Sequence, residues 1–382
     1  MTQHGRPPLS GLRVLELARI LAGPWAGQLL SDLGATVVKV ESPEGDDTRR
    51  WGPPFISHDG ETAAAYFHAC NRGKRSVVAD FSTEEGREAV RRLATGADVV
   101  IENFKLGGLD RYGLGWEALS TLNPRLVWCS ITGFGQDGPY ACRAGYDYIV
   151  QGMSGLMSVT GEPDREPQKV GVAVTDIFTG VYAATAILAA IHQRNATGLG
   201  QRIDMALLDV ATAITANQAM NYLASGIAPQ RMGNAHPNIV PYQVFACADG
   251  HAIVAVGNDG QFRRFCALLG LEALGTDPAF ATNPDRLARR DILVPLLQEA
   301  VLRLGRDELL SRCEGQGVPA GPINDMADVF ADPQVIARRL RIEPDGVPGV
   351  RTPIVFSDSA LALDRASPRL GEHQGCLGSP WD

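Results

Sequence analysis

The 382-residue chain is short of several things that would each have fixed its class. Basic residues are outnumbered, 35 Lys and Arg against 43 Asp and Glu, which leaves a net charge of −8. That deficit argues against general binding to nucleic acid or to an anionic membrane surface, both of which call for a basic excess. Cysteine pairs are missing too: Cys70, Cys129, Cys142, Cys247, Cys266, Cys313 and Cys376 make an odd, scattered set without a CxxC. They have no metal-ligand spacing with the seven histidines, so they read as reduced thiols and no metal is expected. Cys129, at the end of an apolar strand, is the one weighed as a catalytic thiol. The opening MTQHGRPPLSGL carries no cationic segment leading into an apolar run, so no secretory leader is expected. The strongest apolar stretch, Val181–Ile191, falls short of the roughly 20 residues of a membrane span. A cytoplasmic protein without a membrane partner is the expectation.

Glycine, by contrast, is abundant at 42 residues, without the triplet period of collagen. These glycines are expected at turns and close approaches within a folded chain. The segment Leu12–Glu41 reads strand–helix–strand, with Gly23-Pro24 at the helix start and Gly34 at its end. The alternation continues through strand Ser76–Asp80, helix Glu84–Thr95 and strand Asp98–Glu102. Helix Trp116–Leu122, strand Arg125–Thr132, a long helix from Asp176 to Arg194, strand Gln201–Met205 and a helix Leu207–Ala224 follow. Such alternation predicts an α/β, Rossmann-like, doubly wound parallel sheet. After Ser225 the texture turns rich in Gly, Pro and Asn, and a hairpin signal (Gln243–Ala248, His251–Val256) opens a smaller α/β unit with helices Gln261–Leu269, Pro284–Leu304 and Asp307–Glu314. The expected organisation is a large domain over residues 1–224, a small inserted α/β domain over 225–324, and a segment 325–382 returning to the large domain.

Three features bear on chemistry. Gly133–Gly138 (GFGQDG) fits GxGxxG after a strand, but no amphipathic helix follows and the first βα turn holds only RILAGP, so a tight turn is expected. Arg72, Lys74 and Arg75 in NRGKRS, with Lys105 and Arg111 in NFKLGGLDRYGL, lie beside expected strand ends, where phosphate groups could bind. Asp176, in VTDIFTG, stands where an apolar run turns into the long helix. It serves either as an N-cap or as a nucleophile held by the helix's positive end.

The stretches LAGPWAGQLLSDLGATVVKVE, NRGKRSVVADF, ENFKLGGLDRYGLGWE, SITGFGQDGPY and GVAVTDIFTGVYAA resemble the family III CoA-transferases, and the resemblance runs from about Leu9 to the end. Within that family, DDTRRWGPPF, NIVPYQVF and GVPAGPINDMADVFADPQV look most like transferases that move CoA between dicarboxylic acids. The resemblance implies that Asp176 is the catalytic aspartate, working through an aspartyl anhydride and an aspartyl–CoA thioester. It implies that coenzyme A, a substrate and not a tightly bound cofactor, lies along Leu21, Ala22, Arg72, Lys74, Arg75, Asn103, Phe104, Lys105, Arg111, Ala144, Tyr146 and Asp147. Gly257, Asn258, Asp259 and Gly260 match a mobile glycine loop over the aspartate, although the family's run of glycines is interrupted here. Racemases of the same superfamily carry a His where this chain has Tyr146, a residue too weakly acidic to act as that base. The transferase reading is therefore preferred over a 2-methylacyl-CoA racemase or a non-catalytic CoA-binding protein. For the distal carboxylate of a dicarboxylic acid, Arg19, Arg49, Arg50, Arg143 and His236 are candidates, and Arg19 and Arg143 are chosen for their nearness to matched segments. An interlocked homodimer is expected from the resemblance alone.

Overall fold

The computed structural model describes residues 5–375 and 381 and divides the chain into two compact units. Cys376, expected as a reduced thiol, lies outside the described residues, as do the first four residues of the opening segment. The larger unit comprises the chain up to Leu156, Lys169–Ile227 and the stretch from Pro333 onward. The smaller takes Ala228–Asp332 and also Met157–Gln168, a segment the sequence reading had left with the large domain.

The larger unit is built on six parallel strands: β1 (Arg13–Glu16), β2 (Thr36–Glu41), β3 (Arg75–Val78), β4 (Val99–Glu102), β5 (Val127–Thr132) and β6 (Arg202–Ala206). Their order is β3-β2-β1-β4-β5-β6, so the chain winds outward from β1 in one direction and then, from β4, in the other. Successive side chains in a strand face opposite sides, which divides the apolar runs between two cores. Val14, Val37, Ile101, Val127 and Cys129 pack with Ala26 and Leu30 of α1 (Ala22–Asp32) and Ala183 and Ile187 of the long α6 (Val174–Thr197). Leu15, Val38, Val100 and Trp128 pack on the other face with Val90 and Leu93 of α3 (Glu84–Gly96) and Leu119 of α4 (Trp116–Leu122). Between β2 and β3 lie a hairpin (Phe55–His58 with Glu61–Ala64) and a short helix, α2 (Ala65–Asn71), which the sequence reading did not register.

Two sequence expectations change in this unit. The helix read over Leu207–Ala224 is broken at Ala216, whose φ of +43° separates α7 (Leu207–Ile214) from α8 (Ala216–Ser225). The apolar stretch around Val181 belongs to a 24-residue helix that is long and apolar enough to cross a membrane. One face of α6 is built into the core against α1, as in a core helix of a folded domain.

The sheet's interior is also charged. Glu16, Lys39, Asp46 and Lys74 are all buried: Lys39 Nζ lies 3.1 Å from Glu16 and 2.9 Å from Asp46, and Lys74 Nζ lies 2.8 Å from Glu16. Lys39 also donates to the Ala18 carbonyl at 2.8 Å, and Lys74 to the Pro24 carbonyl at 2.8 Å and Asn71 Oδ1 at 2.9 Å. Gly27 of α1 makes room for this cluster, because a Cβ there would stand 1.8 Å from a Glu16 carboxylate oxygen.

In the smaller unit β7 (Tyr242–Cys247) and β8 (Gly250–Ala255) form the expected hairpin. A third strand, β9 (Ala320–Pro322), joins it antiparallel. The helix expected over Pro284–Leu304 is two helices, Asn283–Ala288 and α10 (Arg290–Val301), the latter lending Leu293, Leu297 and Val301 to a core with Phe245, Phe262 and Phe265.

Removing one partner from a buried ion pair strands the other charge. Lys74→Met should lower the free energy of unfolding by about 3–5 kcal/mol. Arg303→Ala, which breaks the exposed pair with Glu299, should change it by less than about 1 kcal/mol. Urea unfolding of the two variants measures the contrast.

Candidate active site

In an open parallel sheet, loops leaving the carboxyl ends of strands on either side of the winding reversal enclose a crevice. Here it is a cleft of about 630 Å³, lined by the loops that follow β1, β2, β3, β4 and β5. It brings together Asp176, Leu21, Ala22, Asn103, Phe104, Lys105, Arg111, Ala144 and Tyr146 from the sequence expectations, with Arg19 and Arg143. These positions span more than 150 residues of chain and meet only because five strands end on one side.

Asp176 is not the helix cap. The N-cap of α6 is Ala173, and Asp176 is the third helical residue, one position beyond Thr175. The stabilising contact at this end comes from Asp147 instead, the first residue of α5 (Asp147–Met153). Its Oδ1 accepts hydrogen bonds from the Thr175 N–H at 2.8 Å and the Thr175 hydroxyl at 2.6 Å, and its Oδ2 from Gln151 Nε2 at 2.7 Å. Asp147, expected on CoA, thus holds the first turn of α6 and does not line the cleft. Asp176 is partly buried, and its carboxylate accepts no hydrogen bond among the described residues. Burial pushes its carboxyl up to about 7, and the neighbouring Asp147 charge adds to the rise. The helix end would favour an anion, but Asp147 already occupies the Thr175 amide. Tyr66 of α2 is a further neighbour that sequence reasoning missed, its hydroxyl pushed up to about 12 by burial, then by the charges of Asp176 and other nearby groups.

The cleft's cations differ in their freedom. Arg19 forms an exposed pair with Asp47 at 3.0 Å. Arg143 lies over the Tyr140 ring at 3.9 Å. Arg111 stacks on Tyr112 at 4.5 Å and donates to its hydroxyl at 2.7 Å. Neither Arg143 nor Arg111 has a carboxylate partner among the described residues, and Lys105 is exposed at the same end. Phe81 packs on both Phe104 (6.1 Å) and Tyr112 (5.9 Å), giving that wall an aromatic surface.

Several expected ligand residues lie elsewhere. Arg72 and Lys74 are buried; Arg72 makes a two-pronged pair with Asp32 (3.1 and 2.6 Å) and Lys74 belongs to the Glu16 cluster, so neither lines the cleft. Arg75 is likewise absent from the lining. Arg49 is paired with Glu41 at 2.7 Å and Arg50 with Asp47 at 3.4 Å, while His236 belongs to the smaller unit. Gly257, Asn258, Asp259 and Gly260 also lie in that unit, where they start α9 (Asp259–Leu268). Asn258 caps the helix by accepting from the Gln261 N–H at 2.9 Å, and Asp259 pairs with buried Arg286 at 2.7 Å. The two residues that interrupt the glycine run therefore bind that segment into a capped helix start. Gly135 and Gly138 of the GxGxxG stretch have φ of +88° and +80°, a turn that no helix follows directly. Cys129 is fully buried in β5, and burial keeps its thiol protonated. No group of His, Cys, Asp and Glu among the described residues could hold a metal ion.

The raised Asp176 carboxyl should titrate near pH 7 in the free protein. In Asp147→Asn its midpoint should fall but stay above the ordinary carboxylate range, because burial remains. Carboxyl-carbon NMR of aspartate-labelled protein, assigned with Asp176→Asn, checks both.

The sequence matches the family model described as CoA-transferase family III over residues 9–374. It is 61% identical over 377 residues to a succinate–glutarate CoA-transferase of Agrobacterium fabrum, covering 97% of this chain and 94% of that one. To a human succinyl-CoA:glutarate CoA-transferase it is 41% identical over 372 residues, covering 96% and 84%. The crystal structure of a CAIB/BAIF family protein from Brucella suis superposes with a TM-score of 0.90 at 63% identity, covering 99% of this chain and all of that one. A parallel-sheet fold with Asp176 in the crevice at its strand ends and a match along almost the whole chain lead to one assignment: the protein belongs to the family III CoA-transferases.

Proposed function

We propose that this transferase moves CoA from succinyl-CoA to a second dicarboxylic acid, with glutarate the first acceptor to test. The observation that carries the reading is Asp176, a carboxylate without a hydrogen-bond partner among the described residues, in a cleft that also presents aromatic rings and the cations Lys105, Arg111 and Arg143. The names of the similar enzymes supply the acids.

Coenzyme A brings a planar adenine and several phosphate charges. Phe81, Phe104 and Tyr112 suit the base, and Lys105 and Arg111 the phosphates. The Asp176 carboxylate attacks the succinyl-CoA carbonyl and expels CoA thiolate, leaving a mixed succinyl–aspartyl anhydride. The thiolate then attacks the aspartyl carbonyl, releasing succinate and forming an aspartyl–CoA thioester. The acceptor carboxylate attacks that thioester, and the thiolate set free closes the cycle on the acceptor's acyl carbon. A hard acyl exchange is split into easier covalent steps. A carboxyl with a pKa near 7 is a better nucleophile once ionised than an ordinary exposed carboxylate, so adduct formation should rise with pH through neutrality.

A second carboxylate on the acceptor needs a cation where water is excluded. Arg143, without an acid partner among the described residues, fits this role better than Arg19, which is paired with Asp47. The surface supports the expected homodimer as well: Phe178, Val181 and Tyr182 of α6, Ile149 and Met153 of α5 and Leu223 of α8 are large, apolar and exposed in a single chain. Six free cysteines among the described residues, five of them buried, fit a reducing, cytoplasmic setting.

Intact mass after mixing with succinyl-CoA should show a covalent CoA adduct in the wild type and none in Asp176→Ala. Its absence from the wild type, with no exchange into any acid, would favour a CoA-binding protein without catalysis; deuterium exchange at the α-carbon of a 2-methylacyl-CoA would favour a racemase. Arg143→Ala should raise the KM for the dicarboxylate about tenfold or more while Arg19→Ala changes it less. Sedimentation of the wild type should report two chains per particle.

A further inference from the structure

The cleft wall formed by residues 19–22 is held in an unfavourable backbone conformation. Ile20 has φ of +73°, a region unfavourable for any residue with a side chain and most of all for a β-branched one. No strand or helix imposes it, since β1 ends at Glu16 and α1 begins at Ala22. Side chains impose it instead. Asn103 brackets Arg19, accepting from its N–H at 3.0 Å and donating to its carbonyl at 2.7 Å. Asp46 accepts from the Ile20 N–H with both oxygens, at 3.4 and 3.2 Å. The Cys70 thiol approaches the Ile20 carbonyl at 3.6 Å.

Asp46 is itself fixed before it reaches Ile20. It is buried, paired with Lys39 at 2.9 Å, and held by the Thr48 N–H at 3.0 Å and the Thr48 hydroxyl at 2.7 Å. A strained residue persists only where its surroundings over-determine it, and such residues gather at functional sites. Arg19, Ile20, Leu21 and Ala22 line the same cleft as Asp176.

We propose that Asp46 is a positioning residue for the transfer reaction: through the Ile20 amide it forces the strained turn that sets the Arg19–Ala22 wall of the Asp176 cleft. The inference rests on the CoA-transferase reading of that cleft. Asp46 also lines the cleft, so its assigned role through the Ile20 amide is told apart from a direct contact with substrate by whether a change at Ile20 restores function. A purely structural Asp46, needed to neutralise Lys39, would leave the conformation of Ile20 irrelevant to activity.

Glycine adopts a positive φ without strain, so Ile20→Gly separates the two roles. In Asp46→Ala, which leaves no acceptor for the Ile20 N–H, kcat for CoA transfer and affinity for CoA measured by calorimetry should each fall about tenfold, the scale expected of a wall displaced by a fraction of an ångström. Adding Ile20→Gly should return both to within about threefold of wild type, because the turn no longer needs forcing. The melting temperature lost at the unbalanced Lys39 should not return. Where Asp46→Ala does not fold, Thr48→Val, which removes one of the contacts aiming Asp46, should show the same rescue from a smaller loss. Unchanged kcat and affinity in the single variants would overturn the proposal, as would losses that Ile20→Gly leaves in place. A wild type that binds CoA but transfers it to no acid would count against the function reading alone, and the cycle would then be read on CoA affinity.

Discussion

The cleft depends on four charges buried together under the strand ends. Glu16 closes β1, Lys39 lies in β2, Asp46 follows β2 and Lys74 precedes β3, so one cluster ties three adjacent strands and their loops. Two carboxylates and two ammonium groups balance, which is what makes their burial tolerable. Burial alone would drive the lysines neutral. At Lys39 the surrounding carboxylates overcome it and hold the ammonium form, while at Lys74 burial and the nearby Lys39 charge leave the pKa lowered. A cluster of this kind adds little net stability compared with apolar packing, but it tolerates few alternative arrangements. Lys39 and Lys74 each also reach a main-chain carbonyl, at Ala18 and Pro24, on either side of the Arg19–Ala22 wall.

The same pairing decides which cations remain available in the cleft, whose lining carries both acidic and basic residues. Arg72 is consumed by Asp32, Arg49 by Glu41 and Glu61, and Lys74 by Glu16, all inside the larger unit. Arg111 and Arg143 stack on tyrosine rings, which leaves their charge available to the cleft. Net charge counts all of these equally, so it reports on bulk solubility and not on the site.

The parallel sheet was legible because apolar runs of four to six residues alternate with amphipathic helices, whereas the point at which the winding reverses is a property of the strand order. The charged cluster was not. A lysine within TVVKVE or beside a glycine in NRGKRS reads as a solvated or ligand-facing group, since nothing local says that Glu16, some 58 residues away from Lys74, lies beneath it. Asp176 stands out at a helix start, but a cap and a third helical residue differ by only three positions, within the spread of a boundary read from sequence. Asp147 was linked to the site by resemblance, yet its bond to Thr175 joins residues 28 apart on two helices. The third strand of the small sheet, Ala-Gly-Pro, has a composition that reads as a turn; only pairing with β8 makes it a strand.

Asp147 gives the site its balance. A carboxylate at the start of a helix is normally favoured by the first-turn amides, which would hold Asp176 ionised and weakly basic. Asp147 takes the Thr175 amide and hydroxyl, and in doing so brings its own charge close to Asp176. One residue thus removes a stabilising donor and adds a repelling charge, while burial supplies the larger part of the rise. The consequence is a carboxylate of raised pKa that accepts no hydrogen bond among the described residues. The geometry between α5 and α6 adds the Asp147 charge to the larger effect of burial, and α6 in turn packs against α1, whose first residue, Ala22, ends the strained wall.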